Sequence, residues 1–354
     1  MMAIHMEQST TKYDVKVTKL PNSQIEIKAT IPAEEFDKTR NDAIKHIGGD
    51  VELPGFRRGH VPEKMLVQKI GEVAILEEMA EIAIGHAYPR IIIQEKLDVL
   101  GRPTVTIQKI ALGNPLEFTI VSAVFPEIEL ADYKKLAVKV MSKKDVVDVS
   151  EEDMEKTLEQ IQRMRMANDA KKEGKEPEEG AALPALDDDY VKMLGEFTDV
   201  EDFKIKLKEN LLKEKEREAQ DKKRVAIMEA IARDSKIDLP EIIIEQEIAR
   251  MEEEFSHDIT RMGMTFDSYL EAIKKTREEM AKEWRPDAEK RAKTQLITAK
   301  IAEIEKLSPD EEAMKKEIAL LRQHYPDAPE DRVQGFVHMI LTNQKVFAFL
   351  ESQK

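Results

Sequence analysis

Residues 13–47 read YDVKVTKLPNSQIEIKATIPAEEFDKTRNDAIKHI, and the spacing of their apolar positions changes once along the way. Tyr13, Val15 and Val17 alternate with polar residues, Pro21-Asn22-Ser23 supplies a turn, and Ile25, Ile27, Ala29 and Ile31 resume the alternation. A period of two on either side of turn residues predicts a β-hairpin over 13–31. From residue 33 the spacing becomes helical, with Phe36, Ala43, Ile44 and Ile47 inward and Gly48-Gly49 as the expected stop. A hairpin that feeds a helix which must cover it is the opening of an α+β domain.

Working outward, residues 54–62 form a loop with two prolines and two glycines. A long helical stretch follows over about 63–96, broken near Gly71, with Leu66, Ile70, Ile75, Met79, Ile82, Ile91 and Ile92 apolar. Val105–Ile110 and Leu116–Phe125 read as a second hairpin turning at Gly113-Asn114. Residues 13–130 are therefore expected to be one α+β domain, and residues 1–12 are set aside as a disordered or vector-derived N-terminus. Residues 131–182 read as a connector. Leu136, Val138 and Val140 alternate and predict an extended segment over 131–149. Ser150 with Asp153 then opens a helix striped by Met154, Leu158, Ile161 and Met164, and polar Lys171–Gly180 is a linker.

Residues 183–354 are expected to be an extended all-α domain. Thr198 and Glu201 form a capping box for a helix over about 199–235. Leu239-Pro240 separates it from a helix carrying Ile244, Ile248, Met251, Phe255 and Ile259. A third helix starts near Thr265, and a fourth spans about 277–306, where Pro286 is expected to kink or split it. Ser308-Pro309-Asp310-Glu311 reads as a helix start, and the last helix covers about 329–352.

Composition narrows the function classes. Cys is absent, which excludes disulfides and thiolate metal sites and fits a reducing compartment. A net charge of −15 opposes non-specific nucleic-acid binding, so any RNA contact has to come from a local basic patch. With 36% charged and 5% aromatic residues, the balance suits long solvated helices. No run of apolar residues is long enough for a membrane span, and no secretory signal is apparent. The seven His show no zinc spacing, and neither a phosphate-binding G-x-x-x-x-G-K-[ST] loop nor a G-x-S-x-G elbow occurs. Acidic Glu252–Glu254 reads as a solvated helix face. No catalytic residue, metal or cofactor is expected.

The segment Gly55-Phe56-Arg57-Arg58-Gly59-His60-Val61-Pro62 stands out against this acidic background. Its glycines permit a sharp reversal and its flanking prolines stiffen the ends. Two guanidiniums beside an aromatic ring suit docking to phosphates and protein together. The plainer reading is a structural turn whose arginines pair with local acids such as Glu52 and Glu63. The octapeptide closely resembles the ribosome-docking signature of the trigger factor family, usually G-F-R-x-G-x-x-P. Leu100-Gly101-Arg102-Pro103, Phe125-Pro126-Glu127-Ile128-Glu129-Leu130, Leu183-Pro184-Ala185-Leu186-Asp187 and Ile237-Asp238-Leu239-Pro240 extend the resemblance over nearly all of the chain from Tyr13.

The resemblance implies an N-terminal α+β ribosome-binding domain followed by an extended all-α chaperone domain, in the cytoplasm, with no ATP requirement. It assigns ribosome contact to Gly55, Phe56, Arg57, Arg58, Gly59, His60 and Pro62, on protein and RNA of the large subunit at the tunnel exit. His60 stands where a basic residue is often found. Unfolded or nascent polypeptides are the implied clients, with no membrane partner, and a homodimer off the ribosome is left open. Full-length members carry an FKBP-like isomerase domain at a point where this chain offers only about residues 165–182, which is too short for such a module. Seventeen Met, an adaptable residue, point to Met251, Phe255, Met262, Met264 and Phe266 as a client cradle, against the alternative that these fill an ordinary core. Two other readings stand beside this one: a prolyl isomerase and a ribosome-free holdase.

Overall fold

A computed structural model describes residues 12–51, 61–143, 147–172, 183 and 185–353. In chain order the first elements are β1 (Asp14–Leu20), β2 (Gln24–Ile31), α1 (Ala33–Lys38), α2 (Arg40–Asp50), α3 (Glu63–Ile70), α4 (Glu72–Glu95), β3 (Val99–Lys109), β4 (Leu116–Val124) and β5 (Ile128–Glu129). They are followed by α5 (Tyr133–Met141), α6 (Glu151–Lys172), α7 (Asp188–Leu194), α8 (Val200–Asp234) and β6 (Lys236–Ile237). The rest is helical: α9 (Glu241–Arg261), α10 (Phe266–Ile273), α11 (Arg277–Ile304), α12 (Glu311–His324) and α13 (Glu330–Glu351). The class is α+β, as expected. The chain packs as two compact units that cut across the expected domains: Ser235–Leu296 belongs with the residues up to Glu129, and Ile297 onward belongs with Leu130–Asp234.

In the first unit an antiparallel sheet runs β1-β2-β4-β3. Ile27 lies opposite Val17 and Ile120, and Ala29 opposite Val15 and Phe118. Facing pairs share one side of a sheet, so the alternation puts one apolar face on the central strands. Phe36 of α1 and Ile75, Met79 and Ile91 of α4 cover that face, and all four are fully buried. Each large side chain buried this way contributes about 1.5–3 kcal/mol.

The helices differ from expectation at one break. Gly48 and Gly49 do not stop α2, which continues to Asp50. The interruption falls instead at Thr39, whose hydroxyl donates to the carbonyls of Phe36 (2.7 Å) and Met79 (3.1 Å) and so competes with the helical ladder. Gly71, at φ +90, separates α3 from α4 as the sequence predicts. In the same unit β5 pairs with β6, and α9, α10 and the first part of α11 form a helical arm.

The second unit contains the clearest correction. Residues 133–141 are helix α5, not an extended connector. Leu136, Val138 and Val140 alternate, but Tyr133, Leu136, Ala137 and Val140 also fall on one helical face, and Asp132 caps that helix by accepting from the Lys135 amide at 3.1 Å. The Ser150–Asp153 box forms as expected, with the Ser150 amide donating to Asp153 (2.9 Å) and the Asp153 amide to the Ser150 hydroxyl (3.2 Å). Met164 departs from its expected stripe and is exposed. For α8 the cap is Asp199, not Thr198: its carboxylate accepts from the Asp202 amide at 2.8 Å, and the Asp202 carboxylate accepts from the Thr198 amide at 3.1 Å. Asp310, not Ser308, sits at the start of α12, and its carboxylate pairs with Lys345 at 3.1 Å instead of capping. Helix α11 is continuous through Pro286 and is not split there. The core of this unit joins Ile227 and Ile231 of α8, Ile297 and Ile301 of α11, and Val337, Val346 and Leu350 of α13.

Candidate client-binding surface and loop base

Gly55, Phe56, Arg57, Arg58, Gly59 and His60 lie outside the described residues, as do Glu52 and Pro54. The two ends of that segment are described. On one side the Val51 amide closes the last turn of α2 on the Ile47 carbonyl at 3.0 Å. On the other, Val61 is buried and Pro62 stands at the N-cap of α3, its carbonyl accepting from Met65 (2.9 Å) and Leu66 (3.2 Å). Proline suits this place because its missing N–H needs no partner at a helix start.

A single guanidinium organises the base. Arg40, in the first turn of α2, donates through Nε to Glu63 at 2.8 Å and through Nη2 to Glu72 at 3.2 Å, with Nη1 on the other Glu72 oxygen. Glu63 opens α3 and Glu72 opens α4, so one side chain ties together the starts of three helices. Acids are favoured there and a cation is not, and the fork-to-carboxylate geometry reverses that preference locally. The hydrogen bonds from Glu72, joined by those of Glu63, raise the Arg40 pKa further above its ordinary range despite partial burial, and the Arg40 bonds lower that of Glu72. Glu63, one of the acids that Arg57 or Arg58 could have used, is thus already engaged.

The candidate cradle maps to the arm. Phe266 is buried, and Phe255 is half-buried against it with ring centres 6.1 Å apart. Phe255 also meets Tyr269 (5.2 Å) and Trp284 (5.5 Å) edge-on, and Phe266 stacks on Trp284 at 6.4 Å. These rings form the arm's own small core, and the two phenylalanines hold its helices together. Met251 is half-buried. Met262 (74% exposed) and Met264 (42%) present their thioethers to solvent at the turn from α9 into α10. Thr265 fixes that turn by accepting from the Ser268 amide at 3.2 Å.

Beside the rings a shallow cavity is lined by Glu252, Ser256, His257, Thr260 and Arg277. Arg277 lies 5.2 Å over the Phe266 ring and bonds Glu252 (2.7 Å) and Asp267 (2.8 Å). Trp284, Tyr269 and Arg277 escaped the sequence reading. The only hint of them was an aromatic content low enough for a lone Trp to be worth following. The second unit carries further exposed apolar side chains, among them Met193, Ile205, Leu320, Tyr325 and Phe336. Among the described residues no group of His, Asp or Glu is arranged to hold a metal, and no helix is long and apolar enough to cross a membrane.

Two family descriptions match this chain. Residues 13–161 match the N-terminal portion of bacterial trigger factor protein, and residues 199–353 match its C-terminal portion. The chain belongs to the trigger factor family. The trigger factor of Halothermothrix orenii is 25% identical over 95% of this chain and 98% of its own length. That of Caldicellulosiruptor bescii is 24% identical over 96% and 97%. A solved structure concerned with promiscuous substrate recognition in the folding and assembly activities of the trigger factor chaperone superposes with a TM-score of 0.52. It covers 96% of this chain and 99% of that one at 16% identity, which is a likeness of fold. The alignment to the Halothermothrix orenii trigger factor spans 426 positions, more than the 354 residues present here, so that relative has residues with no counterpart in this chain. The two matched portions leave only residues 162–198 between them.

Proposed function

We propose that this trigger factor family chaperone docks at the nascent-chain exit of the large ribosomal subunit, in the cytoplasm, and holds unfolded segments on several weak apolar patches without nucleotide. The observation that carries the reading is the segment Gly55–Pro62, with Phe56, Arg57 and Arg58 at the family's contact positions. Its base supports the same reading. A loop that must present two guanidiniums outward benefits when one flanking acid, Glu63, is already held by Arg40. Phe56 enters an apolar notch, and the arginines meet phosphate or carboxylate.

Clients sit on exposed Met262 and Met264 of the arm and on patches such as Leu320 and Phe336. Each contact is weak, and together they act by avidity. Release follows when the client buries its own apolar surface, which competes with the patches. Prolyl isomerase activity is not expected. The residues that the longer relative carries in excess and the short interval 162–198 support the reading that the isomerase module is missing.

Co-sedimentation with vacant ribosomes tests the docking claim. Each docking Arg removed deletes a charge-assisted bond of roughly 1.5–3 kcal/mol, so Arg57→Ala with Arg58→Ala should lower ribosome affinity about 100-fold or more. A double variant that pellets as well as the parent would refute docking through this loop. A prolyl-peptide isomerisation assay on the same preparation should show no turnover.

A further inference from the structure

The hairpin joining β1 to β2 carries two consecutive non-glycine residues in the left-handed region, Asn22 at φ 59 and Ser23 at φ 47. Asn tolerates this conformation, whereas Ser has no such preference. Strain of this kind persists where surrounding contacts over-determine it. Every polar group of Ser23 is committed to a distant partner. Its carbonyl accepts from the Val124 amide at the end of β4 (2.8 Å). Its amide donates to the Asp238 carboxylate (2.8 Å) and its hydroxyl to the Asp238 carbonyl (2.5 Å), 215 residues along the chain. Asp238 lies just before Pro240, the N-cap of α9, and so stands at the root of the arm.

Two more contacts meet at that root. Gly101, in β3 at φ +68, is approached so closely that a Cβ there would lie 2.0 Å from Cδ1 of Ile242 in the first turn of α9. Next to Asp238, β6 pairs with β5, Ile237 opposite Ile128 and Lys236 opposite Glu129, with the last two side chains bridged at 3.2 Å. The hairpin tip, the glycine notch and the short ladder hold the same few residues, Lys236–Ile242, from three directions.

We propose that these contacts form a latch that sets the arm (α9, α10 and the first part of α11) on the α/β domain, with the strained Pro21–Ser23 turn as its catch. Closed, the catch uses both backbone groups of Ser23 and its hydroxyl. Open, Ser23 relaxes out of the left-handed region and the Asp238 carboxylate returns to water. The strain lost offsets part of the bonds lost, so the arm can leave its closed position without unfolding the sheet beneath it. Its bearing on client size rests on the reading of the arm as a client surface, but the latch itself can be tested without client or ribosome.

The chain has no Cys, so Glu81→Cys on α4 and Arg261→Cys at the end of α9 give a unique label pair for distance measurement by pulsed electron resonance. The parent should show one narrow distribution. Asp238→Ala removes the carboxylate that accepts from the Ser23 amide and should raise the open-to-closed ratio about 10-fold or more, as a second population. Ser23→Ala keeps the strain of the left-handed turn but loses the hydroxyl bond, and should also populate the open state. If Asp238→Ala and Ser23→Ala both retain the parent distribution while far-ultraviolet ellipticity stays normal, the latch is refuted. Should Asp238→Ala misfold, Ser23→Ala decides alone, because it removes the hydroxyl bond and leaves the Asp238 carboxylate in place.

Discussion

The α/β part and the solvent side of the α12–α13 hairpin use their apolar residues in opposite ways. In the first, Ile27, Ile31, Phe36, Met79 and Ile120 are sealed between a sheet and its covering helices. In the second, α12 has no buried residue at all, and Leu320, Tyr325 and Phe336 are about half exposed or more. The difference separates two duties. A domain that positions a docking loop needs one rigid shape, which close packing supplies. A surface that must accept many sequences needs apolar area still facing water.

Mutation should break the contrast most visibly at the packed end. Phe118→Ala in β4 should cost about 3–5 kcal/mol, and Phe336→Ala in α13 within about 0.5 kcal/mol. Urea unfolding of the two variants checks the difference, while an aggregation assay should rank them the other way, with Phe336→Ala the poorer holder. Next in size is Arg40→Ala, which frees Glu63 and Glu72 at three helix starts. It should cost about 1 kcal/mol, reduced from a buried pair because solvent reaches the cluster. Faster amide exchange at the start of α3 should accompany it.

Two smaller effects sharpen the picture. Lys274 ends α10 in the left-handed region at φ 55, so Lys274→Gly should gain roughly 0.5–1 kcal/mol in thermal unfolding of the arm. In the second unit, the Tyr133 hydroxyl donates to Glu305 at 2.6 Å, and desolvation, this bond and the nearby carboxylate push its pKa up to about 12. A group with a raised folded pKa holds its proton more tightly when folded. Its contribution is complete below the unfolded value near 10 and is lost as pH rises toward about 12. Tyr133→Phe should remove that alkaline decline in unfolding midpoint, read between pH about 9 and 12.

Much of this organisation was legible in the sequence. Both hairpins of the sheet, the break at Gly71 and the Ser150 box could be read because each is local, set by alternation, a φ requirement or a three-residue spacing. What was missed depended on contacts elsewhere. Residues 133–141 satisfy both periods, and only the Asp132 cap and the burial of Ala137 choose the helix. Ser308 read as the start of α12, but the helix begins after Asp310, whose carboxylate pairs with Lys345. At the candidate surface the sequence could group Phe255, Met262, Met264 and Phe266. It could not say that Trp284 draws the rings inward and leaves the methionines outside. Arg40 gave no signal, since its partners Glu63 and Glu72 lie beyond the loop it braces.

The measurement that bears most directly on the account is light scattering from a chemically denatured client diluted into buffer with this chain and no nucleotide. Chain in modest excess should suppress aggregation and release folded client over time, and Met262→Ser with Met264→Ser should weaken the suppression while leaving the unfolding midpoint unchanged. Client that aggregates at the same rate with and without the chain would contradict the claim that its exposed apolar surface holds unfolded polypeptides.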